Sequence, residues 1–112
     1  MATPANQDLV ITAGDTMTVV VTMTTDGSTP MNITGRTYRA QVRQQADNTT
    51  IEATFTCTVT NAVHGQITAV LSAAQTGVLE SGNHVWDLEE NASGVVTTVL
   101  AGAFIVLADV TR

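Results

Sequence analysis

Thr16-Met17-Thr18-Val19-Val20-Val21-Thr22-Met23-Thr24 alternates in polarity with one departure. The odd positions, Met17, Val19, Val21 and Met23, are apolar, and the even positions are Thr except at Val20. The pattern returns in Ala53-Thr54-Phe55-Thr56-Cys57-Thr58-Val59-Thr60. Successive side chains of a strand point to opposite faces. Strict period-two alternation therefore predicts half-buried antiparallel strands with one wet face. Val19, Val21, Phe55, Cys57 and Val59 are expected in the core, and Thr54, Thr56 and Thr58 outside it. Thr is β-branched and suits a pleated, half-wet surface.

Working outward, turn signals recur at the spacing of a sandwich. They lie at Asp26-Gly27 through Pro30 to Gly35, at Asp47-Asn48, at Asn61 to Gly65, at Asn91 to Gly94, and at Ala101-Gly102. Strands are predicted near 8–12, 15–25, 36–45, 50–60, 65–71, 83–90, 95–100 and 103–111. Ser72-Ala73-Ala74-Gln75 has the Ser-x-x-Gln form of a capping box. One short helical turn is expected at 72–78, crossing between the sheets because it is too short to form a layer. Trp86 and Leu88 share a register and are assigned to the core. The last strand is apolar on both faces, with Phe104 and Val106 on one side and Ile105 on the other. That pattern fits a central strand or one covered by a neighbouring subunit. Ile105 is placed in the core, and Phe104 and Val106 are candidate interface residues. The whole is an all-β, antiparallel sandwich of about seven to eight strands, with residues 1–7 as an N-terminal arm and 8–112 as a single domain.

The chain has 112 residues, of which 44% are hydrophobic and 12% charged, with a net charge of −6 and four cations, all Arg. A chain of this size buries roughly two-thirds of its unfolded surface, enough for one core. Nucleic-acid binding needs a positive footprint to exchange for phosphate counterions. This chain offers none, and an anionic membrane would repel it. Cys57 is the single cysteine, so no intrachain disulfide can form. Met1-Ala2-Thr3-Pro4 has neither the basic region nor the apolar run of a signal peptide.

Groups for chemistry are sparse. His64 falls in a turn and His84 on a strand, and with Cys57 they match no zinc spacing. Asp87 and Glu89 share one strand face near Glu90 and Asn91, but calcium wants a loop that wraps it. The Thr54-Thr56-Thr58-Thr60 ladder reads as a solvated face, since sandwich strands twist away from the flat array that ice binding needs. Trp86 and Tyr38 read as packing residues, because aromatics are only 4% of the chain, too few for a sugar-binding platform. No catalytic, metal or cofactor-binding residue is assigned, and the chain is not expected to be an enzyme.

Some signatures are more specific. They are Ala13-Gly14-Asp15-Thr16, Asp26-Gly27, Pro30, Ile33-Thr34-Gly35 and Gln41-Val42-Arg43, followed by Leu79-x-x-Gly82-x-x-x-Trp86-Asp87-Leu88, Gly94-x-Val96, Leu100-x-x-Gly102 and Asp109-Val110-Thr111-Arg112. Together they resemble the small immunoglobulin-like β-sandwich proteins of tailed bacteriophage virions, in particular the N-terminal domain of baseplate upper proteins. The resemblance implies an immunoglobulin-like fold and a virion component of the tail or baseplate, an adaptor or fibre-anchoring module. It would be made in the bacterial host cytoplasm and would contact other virion proteins and copies of itself in a symmetric ring or lattice. The alternative is a capsid decoration protein that cements the phage head. In the family the domain continues into a fibre-like part, whereas this chain ends at Arg112, so receptor recognition is not implied. The expected contacts are the arm, with Met1 and Pro4, and the loop from Asp26 to Gly35, with Asp26 and Pro30, both stiffened by proline.

Overall fold

In the computed structural model, which describes residues 5–25, 29–45 and 50–110, the first alternating stretch forms one strand, whereas the single strand expected near 50–60 is broken at Phe55, where the chain crosses from one sheet to the other. The chain runs through β1 (Ala5–Asn6), β2 (Leu9–Thr12), β3 (Met17–Thr22), β4 (Thr37–Arg43), β5 (Ala53–Thr54), β6 (Thr56–Asn61) and β7 (Gln66–Leu71). A single helical turn, α1 (Ala73–Gly77), leads to the long β8 (Gly82–Ala92) and β9 (Val95–Leu107). The strands form two sheets. One has the order β1-β9-β8-β4-β5 with β2 also on β9, and the other has the order β3-β7-β6. The two pack face to face as an immunoglobulin-like β-sandwich.

The capping box forms as the sequence predicts. The Ser72 hydroxyl accepts from the Gln75 amide at 3.2 Å, and the Gln75 side chain accepts from the Ser72 amide at 2.9 Å. The turn carries the chain from β7 in one sheet to β8 in the other. It is pinned by Thr76, which is fully buried. The Thr76 hydroxyl donates to the Asp15 carbonyl at 2.7 Å and accepts from the Gly14 amide at 3.1 Å.

The core follows the pleat. Phe55, Trp86 and Leu88 are buried with Leu9, Ile11, Val42, Leu71, Phe104 and Val106. Phe55 sits between the layers, its ring centroid 5.9 Å from that of Trp86 and 6.2 Å from that of Phe104 in an edge-on contact. Offset and edge-on contacts suit the ring quadrupoles. Val19, Val21 and Cys57 are only partly buried and pack against this cluster, and Val59 is likewise partly buried. All four lie in the three-stranded sheet, where β3 and β6 are edge strands and receive cover from one side only.

Three further departures from the sequence reading have physical causes. First, residues 95–107 form one strand, so Ala101-Gly102 is not a turn. Glycine inside a strand marks a close backbone approach, and a Cβ on Gly102 would overlap the Gln7 carbonyl. Second, the first strand is parallel to the last, not antiparallel. Leu9 pairs with Phe104 and Ile11 with Val106. The path breaks between β1 and β2, where Gln7 donates to the Ala101 carbonyl at 3.0 Å. There the Gln7 carbonyl accepts from Trp86 Nε1 at 2.7 Å, and Asp8 Oδ1 accepts from the Ala103 amide at 3.0 Å. Gln7, assigned by sequence to a free arm, is therefore built into the sheet. Third, the inner and outer sides of the last strand are exchanged. Phe104 and Val106 are core residues, not interface residues, and Ile105 lies on the opposite face, partly exposed.

Candidate functional site

The outward side of the larger sheet has two different halves. Register places Val10, Ile105 and Leu107 together at the β2–β9 edge, with Val10 and Leu107 exposed. Toward β4 the same face is charged. Arg39 pairs with Glu89 at 3.0 Å across β4 and β8. Asp87 lies on this face between Gln41 and Ala101. Partial burial raises the Asp87 carboxyl above the usual carboxylate range, and the neighbouring Glu89 charge raises it further, against Arg43 and Arg39.

The sequence reading passed over a cluster at the end of the sandwich. Glu90 is 8% exposed, a charged residue on the apolar register of Trp86 and Leu88. Its carboxylate accepts from the Tyr38 hydroxyl at 2.6 Å and pairs with Arg36 at 3.3 Å. Burial first, then the hydrogen bond and charge of Glu90, hold the phenol well above its usual range. The signal was present: a carboxylate two residues beyond Leu88 in the inward register must have partners, since a buried charge without them is costly. Beside the cluster a cleft of ≈ 180 Å³ is lined by Thr37, Arg39, Glu89, Asn91 and Val96 together with Tyr38 and Glu90. Both polar ends of the cluster are satisfied internally, so the geometry is that of a structural tie.

The residues weighed for chemistry are engaged elsewhere. His84 is buried, and its Nε2 lies 2.8 Å from the Glu80 carbonyl. A carbonyl can only accept, so Nε2 carries the proton. His64 is exposed, its Nδ1 3.2 Å from Asn61 Oδ1. Cys57 is partly buried, and burial pushes its thiol up, away from the reactive thiolate form. Among the described residues, no three His, Cys, Asp or Glu side chains gather as metal ligands. No helix among them is long and apolar enough to cross a membrane.

Of the expected contact residues, Met1, Pro4 and Asp26 lie outside the described residues. Pro30 is exposed and forms an isolated bridge with Thr24. Its loop is anchored by Ile33, which is fully buried and whose amide donates to the Ala62 carbonyl at 2.8 Å.

No protein-family model matches the chain, and no curated protein matches it in sequence. Solved structures do. The N-terminal domain of phage TP901-1 ORF48 superposes with a TM-score of 0.60 at 14% identity, covering 93% of this chain and 89% of that one. An extracellular fragment of novel immune-type receptor 11 from Ictalurus punctatus, including its stalk region, gives a TM-score of 0.43 at 12% identity, covering 100% of this chain and 90% of that one.

Proposed function

We propose that this chain is a structural protein of a bacteriophage virion, a tail or baseplate adaptor that acts through protein–protein contacts and catalyses no reaction. The observation that carries this reading is the near end-to-end likeness to the N-terminal domain of a phage protein, 93% of one chain on 89% of the other. The turn and strand signatures quoted from the sequence point the same way independently. The side chains fit a protein that works by its surfaces. Buried Glu90 and partly buried Tyr38 tie β8 to β4, buried Thr76 ties α1 to the turn before β3, and each histidine has one ring nitrogen beside a neighbour within the fold. The net charge of −6 disfavours nucleic acid and anionic lipid as partners. In this reading the partners are other virion proteins and further copies of the chain. The exposed Pro30 loop and the segment ahead of Ala5 are the contact elements, and no cofactor takes part.

The test is the copy number and position of the chain in purified particles, by quantitative mass spectrometry and labelling with an antibody in electron micrographs. A ring-sized copy number with label at the tail is the expected result. Capsid-scale copy number with label on the head would replace the tail reading with capsid decoration. Absence from particles would overturn both.

A further inference from the structure

We infer that the free edge of β3 is a homotypic docking surface, on which a second copy of this chain pairs its own β3 antiparallel about a two-fold axis through Val20. Within the chain β3 pairs only with β7 among the described residues. The segment that precedes it, β1 and β2, is committed to β9 in the other sheet, held there by Trp86, Asp8 and the space above Gly102. Two open grooves of ≈ 410 and ≈ 370 Å³ run between β2 and β3. The first is lined by Val10, Met17 and Leu107, the second by Leu9, Val19 and Leu100. No backbone of the described chain covers β3 on that side.

The register says which groups are free. Antiparallel neighbours alternate between pairs that exchange both main-chain hydrogen bonds and pairs that exchange none. Met23 donates to the Gly65 carbonyl at 2.8 Å, continuing the register in which Val21 faces Ile67, Val19 faces Ala69 and Met17 faces Leu71. These odd residues therefore bond to β7. Thr18, Val20 and Thr22 direct their amides and carbonyls to the open edge. Natural edge strands are usually blunted by a charge, a proline or a bulge. β3 has none of these: its sequence is MTVVVT, paired in continuous register.

The sequence of the edge fits its own copy. Thr16 to Thr24 reads TMTVVVTMT, the same in both directions about Val20. In an antiparallel pair centred there, Val20 faces Val20 of the second copy, Thr18 faces Thr22, Val19 faces Val21 and Met17 faces Met23. Thr–Thr and β-branched pairs directly opposite each other are favourable. The three outward-bonding positions on each strand would form about six main-chain hydrogen bonds. The strands β3, β6 and β7 contain no charged residue, and Asp15, which lines the groove beside β3, lies two positions before its first residue. The result is a continuous six-stranded sheet across the two copies. The pairing belongs to the free chain and does not depend on incorporation into a particle.

Three variants of the full chain test it by sedimentation equilibrium up to about 100 μM. Val20 is 57% exposed with its side chain away from the core, so Val20→Lys places an ammonium at the two-fold without disturbing packing. Val20→Pro removes the central edge donor and leaves the bonds to β7 intact. Val95→Lys adds the same charge in the β8–β9 hairpin, where Val95 is 65% exposed, and is the control. The wild type and the control are expected to be dimers, and both Val20 variants monomers with unchanged circular dichroism. In the wild type, the Thr18, Val20 and Thr22 amides should be protected from hydrogen exchange at high concentration and lose protection on dilution. A monomeric wild type would overturn the pairing, as would a dimer that survives both Val20 changes. In a fourth, truncated variant, a dimer lost on removing residues 1–4 but kept in Val20→Lys would overturn it in favour of arm exchange.

Discussion

Tyr38 is the one tyrosine of the chain, and its hydroxyl donates to a buried carboxylate. Ionising it would set two negative charges 2.6 Å apart in a partly desolvated site. In the unfolded chain the phenol titrates near 10, and in the fold it titrates higher. Its contribution to stability is therefore fully present below about pH 10 and is lost as pH rises toward the folded value. We predict that unfolding free energy falls with pH above that point, and that tyrosinate absorbance appears with unfolding and not before it. Tyr38→Phe should cost about 1–3 kcal/mol at neutral pH, as the loss of a bond to a charged group does, and should make the alkaline slope shallower, leaving the part that the raised Cys57 thiol contributes. Alkaline titration of both proteins, followed by ultraviolet absorbance and circular dichroism, checks this. A tyrosinate signal that develops in the intact fold at the ordinary value would contradict it.

At the scale of elements, Phe55 stands at the one residue between β5 and β6, where the chain leaves one sheet for the other. Its amide donates to the Ala40 carbonyl at 2.9 Å while its ring fills the space between Trp86 and Phe104. Truncation to alanine removes the ring from the centre of the cluster. Phe55→Ala should destabilise by about 3–5 kcal/mol, as large-to-small core changes do. Chemical denaturation measures it, and a loss below about 1 kcal/mol would mean that the site collapses without penalty. Gly102→Ala acts on a different element. The new methyl meets the Gln7 carbonyl, so β1 must lift from β9 and the Trp86 indole loses its acceptor. The expected readout is faster hydrogen exchange at Gln7 and Ala103 and proteolytic sensitivity ahead of Leu9, with β3, β6 and β7 unaffected. Unchanged protection at those amides would show that the N-terminal strand tolerates the methyl.

Over the whole molecule, legibility in the sequence tracked how local each constraint is. The alternations at 17–23 and 53–59, the capping box and the hairpin turn at Asn91–Gly94 are written in neighbouring residues, and the β-sandwich follows from them. The inner face of the last strand could not be read that way. Residues 103–107 are apolar on both sides, and only pairing with Leu9, Ile11 and His84 decides that Phe104 and Val106 turn inward. Gly102 was misread because a glycine that admits a distant carbonyl looks, in one dimension, like a glycine that turns the chain. The Arg36–Tyr38–Glu90 tie needs two strands in register, and the free edge of β3 needs knowledge of where β2 goes. The candidate surfaces are thus consequences of topology, and topology here joins the two ends of the sequence.

That joining has a temporal side. Leu9 and Ile11 take their places against Phe104 and Val106, residues that are made 95 positions later. At roughly 5–20 residues per second, a ribosome would deliver the opening strand several seconds before its partner. During that interval the middle of the domain can pair β3 with β7 and β7 with β6, while the apolar side of β2 has nowhere to go. The sandwich can close only once Phe104 and Val106 have emerged from the exit tunnel, so through that interval the nascent chain holds an apolar strand, with Leu9 and Ile11, that lacks its cover.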